Sequence, residues 1–147
     1  MTRLGPQTKS PRPEGSNWAY SVLIRLLLLA VAGAAGTLAR YGLAHLVQES
    51  SGSQFPFGTL AVNALGCLVF GFIWSLAEDQ NVLSQELRLF LLVGFLGAFT
   101  TFSTFAADSG LLLKDGAWLA ATGNILLNNG VGLLCAFLGM GAGRWVR

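Results

Sequence analysis

Four apolar runs, separated by short polar connectors, dominate this chain. They extend from about Tyr20 to Val47, Phe57 to Leu76, Leu87 to Leu113 and Ala117 to Ala142. A helix needs roughly 20 apolar residues to cross ~30 Å of hydrocarbon. Lipid offers the backbone no hydrogen bonds, so each run must satisfy its own. The expected fold is an all-α integral membrane domain of four transmembrane helices. The connectors "QESSGSQFP", "AEDQNVLSQE" and "KDG" are short and polar, as expected between antiparallel neighbours. All four tryptophans, Trp18, Trp74, Trp118 and Trp145, fall near span ends, where amphipathic rings meet the interface.

Composition closes off the soluble alternative. Charged residues are 11% of 147, against roughly 25% in soluble domains. So few cannot coat a soluble surface. The length allows one domain, residues 18–147. Residues 1–17, "MTRLGPQTKSPRPEGSN", combine Pro, Gly, Ser and charge and read as a disordered tail. Within the first run, "AVAG" resembles a signal-peptidase site. Against cleavage, the apolar character resumes after Arg40 with "YGLAHLV". Arg25 can snorkel to the interface, whereas Arg40 lies deeper and is expected to meet water or an anion. No basic stripe carries interleaved aromatics, which argues against nucleic-acid binding. Cys67 and Cys135 form no CxxC and there is one histidine, so the cysteines read as packing residues.

Basic residues suggest an orientation. Arg3, Lys9, Arg12, Arg25, Arg88, Arg144 and Arg147 share one side; Lys114 lies on the other, with Arg40 submerged near it. The positive-inside rule then puts both termini in the cytoplasm. The spans are also rich in small residues, including "AGAAG" (Ala32 to Gly36) and the pair Gly139 and Gly143, which let helices approach closely in lipid.

Polar groups inside the spans need a partner, a water path or a job. Asn63 lies mid-way along the second span, and Asn124, Asn128 and Asn129 along the fourth. Asn124 and Asn128 share a helix face at i, i+4. Asp108 follows "GAFTTFSTF", Gly97 to Phe105, the least leucine-rich stretch of the third span. The inventory argues against an enzyme: His45 stands alone near an interface, Asp108 has no second carboxylate at its depth, and no cysteines pair. Passage of a small anion fits better. Amides and hydroxyls donate hydrogen bonds without a fixed opposite charge. Phenylalanine ring edges are weakly positive, and Phe102 and Phe105 are spaced to lie along one helix side. A glycine followed by adjacent threonines is a poor helix interior. A break near Gly97–Thr101 would free carbonyls of the kind that hold sodium. The other reading keeps an unbroken helix whose hydroxyls bond back to i−4 carbonyls. Periodicity leaves the two equal.

In order along the chain come "GAAGTLARY" (Gly33 to Tyr41), "GTLAVNALG" (Gly58 to Gly66), "GFLGAFTTFSTF" (Gly94 to Phe105) and "GNILLNNGVGLL" (Gly123 to Leu134). These motifs resemble the signatures of the CrcB/Fluc fluoride channels, from about Gly33 to Gly143. The resemblance implies a passive fluoride exporter of the bacterial plasma membrane. It implies an antiparallel, dual-topology dimer with a third helix broken mid-span and a central structural Na+. On that template Asn63 donates to fluoride, and Phe102 and Phe105 turn their edges to the ion. Gly97 and Thr100 offer backbone carbonyls to sodium, and Ser103 and Thr104 form the polar wall. Asp108 and Asn128 extend the polar track, and Arg40 attracts anions in a vestibule. The orientation bias departs from a symmetric dual-topology pair, so the implied partner is a second copy or an oppositely oriented homologue. Independently of the resemblance, four short spans are too few to enclose a selective pore, and an oligomer is expected. The competing readings are a small four-helix dual-topology multidrug or cation exporter, which needs a buried carboxylate early in the chain, and a non-transporting assembly subunit.

Overall fold

The computed structural model describes residues 15–78 and 83–146; the expected tail falls outside that description up to residue 14. The elements are α1 (Gly15–Ser51), α2 (Phe57–Ala77), α3 (Gln85–Arg88), a π-helical stretch (Leu89–Leu96), α4 (Gly97–Phe99), α5 (Phe102–Lys114) and α6 (Trp118–Trp145). They make four stretches long and apolar enough to cross a membrane: Trp18–Ser51, Phe57–Ala77, Gln85–Lys114 and Trp118–Trp145. The expected four-span all-α architecture is the one that forms. Large apolar side chains face outward, among them Leu119, Leu126 and Phe137, as a lipid-facing surface requires.

Two glycines turn the chain. Gly52 follows the last residue of α1 at φ 58°, and Gly116 lies between α5 and α6 at φ 75°; both are left-handed conformations that cost a side chain strain. Gln48 ties the first connector to α2. Its Nε2 donates to the carbonyls of Ser53 (2.6 Å) and Phe55 (3.1 Å). Its Oε1 accepts from the Gly58 N–H at 3.1 Å. The N-cap of α2 is Pro56, which has no side-chain acceptor, so the amide from α1 does the capping.

The most extensive packing is between α2 and α6. Gly71 lies on the Ala136 carbonyl and Gly139 on the Leu68 carbonyl, where a Cβ would strike backbone. Gly143 abuts Ser75 and the Phe72 carbonyl. The expected pair Gly139 and Gly143 is thus part of this seam. Gly36 of α1 meets the backbone of Phe95 and Phe99 in the same manner, which seats α1 on the third span. Val62, Leu96 and Phe99 form the buried centre, packed by Leu43, Val69 and Leu92.

The third span is not a continuous rod. Thr100 (φ −81°, ψ 157°) and Thr101 (φ −148°, ψ 112°) are extended, and α5 restarts at Phe102. The break falls within the stretch the sequence marked. Back-bonding hydroxyls, the competing reading, occur beside it: Thr100 Oγ1 donates to the Leu96 carbonyl at 3.0 Å.

Candidate functional site

A broken helix in lipid must satisfy the backbone groups it releases, and here a side chain from another span does so. Asn63 Oδ1 accepts from the Thr101 N–H at 2.9 Å. Asn63 Nδ2 donates to the Thr101 carbonyl at 3.1 Å. One amide therefore pairs with both backbone groups of one residue, as a neighbouring strand would. Thr101 also caps α5: its Oγ1 accepts from the Thr104 N–H at 3.1 Å. Thr101 Oγ1 lies 2.9 Å from Thr104 Oγ1 and 3.3 Å from Ser103 Oγ.

These redirected donors leave two carbonyls without their helical partners. In a continuous helix the Thr101 N–H would close on Gly97 and the Thr104 N–H on Thr100. The first goes to Asn63 and the second to the Thr101 hydroxyl. Gly97 is exposed, and no neighbour lies near its Cβ position closer than 3.8 Å. Oxygen donors of this kind suit a hard monovalent cation.

From Asn63 a chain of amides runs along α6. Asn63 Nδ2 donates to Asn128 Oδ1 at 3.0 Å. Asn128 Nδ2 donates to Asn124 Oδ1 at 2.8 Å and to the Asn124 carbonyl at 3.1 Å. Asn124 Nδ2 donates to Ser109 Oγ at 2.9 Å, and Ser109 Oγ to the Phe105 carbonyl at 2.9 Å. Asn124 is fully buried (0% exposed) and Asn128 nearly so (9%). The network is therefore internal to the fold, where satisfied amides rigidify and unsatisfied ones are costly.

The phenylalanines flank this network differently. Phe102 is 78% exposed and Phe105 8%. Their rings meet edge to face, centroids 5.3 Å apart and planes at 64°. Both line an open cleft of about 380 Å³ together with Asn63, Gly97, Thr100 and Asn128. Six of the residues singled out in the sequence thus meet in one place.

Arg40 does not share that cleft. It lines a second one, of about 260 Å³, with Thr37, Thr59, Thr101 and Thr104. Thr101 lines both clefts, so the break is the wall between them. Arg40 is half-buried and makes no ion pair or hydrogen bond among the described residues. Asp108 lies beyond, accepting from Thr59 Oγ1 at 2.7 Å. Ser103 is exposed near Thr101. Sequence reasoning missed Thr59, Ser109 and Gln48. Ser109, one turn after Phe105, follows the hydroxyl pattern of the preceding stretch and was open to discovery that way. Thr59 and Gln48 carry no local signal that separates them from ordinary helix and connector residues.

Comparison with known proteins identifies the family. Residues 27–140 match the family described as CrcB-like protein, Camphor Resistance (CrcB). A protein of Nitrosococcus oceani named fluoride-specific ion channel FluC is 50% identical over 115 residues, covering 78% of this chain and 92% of its own. Proteins of the same name from Nitratidesulfovibrio vulgaris (strain Miyazaki F) and Desulforapulum autotrophicum are 52% identical over 126 residues and 47% over 122. Each of these two alignments covers 83% of this chain and 98% of the relative. With its family match spanning most of the membrane region, and with such relatives matched nearly end to end, the chain belongs to the CrcB family.

Proposed function

We propose that the chain is a fluoride-selective ion channel that lets fluoride leave the cell passively across the bacterial plasma membrane. The observation that carries this reading is the convergence of Asn63, Asn128, Phe102 and Phe105 on one cleft at the helix break. The relatives named as fluoride-specific channels support it. Fluoride is small and strongly hydrated, so a pore must offer dense donors in place of its water. Arg40 and the surrounding threonine hydroxyls gather the anion in the vestibule. Past Thr101 the ion meets the Asn63 amide and the weakly positive ring edges of Phe102 and Phe105. Both Asn63 N–H groups already have acceptors, so the ion takes one from Asn128. Ser103 and Thr104 supply hydroxyls beside the rings, and Asp108 and Asn128 belong to the polar path. Larger halides fit less well and attract these donors more weakly.

The cleft is open on one side, with Phe102 at 78% exposure. We read that side as the seat of a second subunit, arranged antiparallel in a dual-topology dimer: another copy, or an oppositely oriented homologue. Na+ fits the carbonyls of Gly97 and Thr100, whose usual donors are redirected. With one such pair from each subunit, the ion would hold the two broken helices together. The exporter reading is weaker. The acidic residue described in α1, Glu49, lies near the helix end, 66% exposed and 3.2 Å from His45.

Fluoride efflux from proteoliposomes tests the proposal. The wild-type chain should release fluoride downhill with no proton gradient. Phe102→Ile should cut efflux by about tenfold or more, because the ring edge is lost, while the size-exclusion profile stays unchanged. Undiminished efflux from that variant rules out the ring edges, and a requirement for a proton gradient rules out the channel.

A further inference from the structure

Three side-chain amides line the open cleft at the helix break: Asn63, Asn128 and Asn129. Each amide has two N–H donors, and the three place them differently. Asn63 Nδ2 donates to the Thr101 carbonyl and to Asn128 Oδ1. Asn128 Nδ2 donates to the carbonyl and to Oδ1 of Asn124. Asn129 Nδ2 donates to one acceptor, the Ile125 carbonyl at 2.7 Å. Its second N–H and its Oδ1 have no partner among the described residues. The one bond it makes is also dispensable. Within α6 the Ile125 carbonyl takes the backbone N–H four residues on, that of Asn129 itself. Asn129 is exposed, whereas Asn128 beside it is 9% exposed. A free amide near the middle of a membrane helix is costly unless something takes its donor.

We propose that Asn129 is the first amide to bind the ion in this cleft. The assignment rests on the channel reading above and adds a donor to it. To draw an N–H from Asn63 or Asn128, an ion must break a bond that the fold already makes. To draw one from Asn129, it breaks none. A strongly hydrated anion gives up water most readily where donors stand unoccupied. The rings of Phe102 and Phe105 border the same cleft, and their weakly positive edges favour the same charge. Asn129 thus receives the ion before the internal row of amides has to yield a bond.

Fluoride efflux from proteoliposomes, read as initial rate against fluoride concentration, tests the assignment. Asn129→Leu should lower the rate at limiting fluoride about tenfold, the loss expected for one hydrogen bond to a charged partner. Asn129→Asp puts a charge of the ion's own sign in place of the N–H and should lower it further. Asn129→Gln keeps the amide and should stay within about threefold of the wild type. Thermal unfolding and the size-exclusion profile of the leucine and glutamine variants should be unchanged, since only the duplicate bond to Ile125 is altered. Wild-type rates from Asn129→Leu overturn the assignment and leave the channel reading standing, as does a loss from Asn129→Gln equal to that from Asn129→Leu. An Asn129→Leu chain that loses flux together with its subunit assembly would mean that the amide holds a partner instead of an ion, and also overturns it. A wild-type chain that carries no fluoride overturns both readings.

Discussion

The α2–α6 seam and the break in the third span solve the same problem by opposite means. In the seam, backbone meets backbone: Gly71 and Gly139 remove the side chains that would keep two helices apart. The backbone leaves nothing to satisfy there, because each helix closes its own hydrogen bonds; the buried Ser75 hydroxyl against Gly143 is a polar group without a partner among the described residues. At the break the backbone has opened, and Asn63 reaches in to replace the bonds it lost. Close approach makes the seam rigid and chemically silent. Substitution by a side chain leaves the break open to exchange, because what one amide holds, a ligand could compete for, as the proposed function requires. A membrane protein this small thus separates its frame from its working part: glycine builds the first, asparagine the second.

The contrast can be broken most forcefully at Asn63. Asn63→Leu removes three hydrogen bonds and leaves the Thr101 N–H and carbonyl buried without partners. Each such orphan costs about 1–3 kcal/mol, so a loss of about 4 kcal/mol in stability is expected. Thermal unfolding in detergent reads it, together with loss of fluoride flux. The seam should respond by a steric route. Gly139→Ala presses a Cβ on the Leu68 backbone and should cost about 2 kcal/mol. Gly141→Ala, two positions on and open to space, should change stability by less than about 0.5 kcal/mol. If the two alanines behave alike, the seam does not depend on close approach. A smaller effect than Gly139→Ala belongs to the cap of α5. Thr101→Val should cost about 1 kcal/mol and Thr101→Ser much less, as the same unfolding measurement would report.

Much of the frame was legible before any coordinates. Apolar run length gave the spans, and glycine spacing pointed to the close contacts of Gly139 and Gly143. The break was legible only as a balance. Gly97 and the adjacent threonines are locally consistent with either a kink or a back-bonded helix. What decides it is Asn63, 38 positions away in sequence, and no local pattern carries that information. The pairing of Thr59 with Asp108, 49 positions apart, was hidden for the same reason. Family resemblance named the residues but not their partition. Arg40 was expected in a vestibule and Asn63 at the ion, and the two line separate clefts with Thr101 between them. Gln48 escaped notice because a glutamine at a helix end looks like connector until its three bonds are seen.

The row of amides from α2 into α6 points one way, Asn63 giving to Asn128, Asn128 to Asn124 and Asn124 to Ser109. Such a row behaves like a line of dominoes. If an ion draws an N–H of Asn63 toward itself, the oxygen of Asn128 loses its donor, and the cheapest remedy is for that amide to turn. The turn disturbs the next member, and so on to the serine. Under the proposed function, an ion at the helix break would thus be felt along the fourth span without any movement of the backbone.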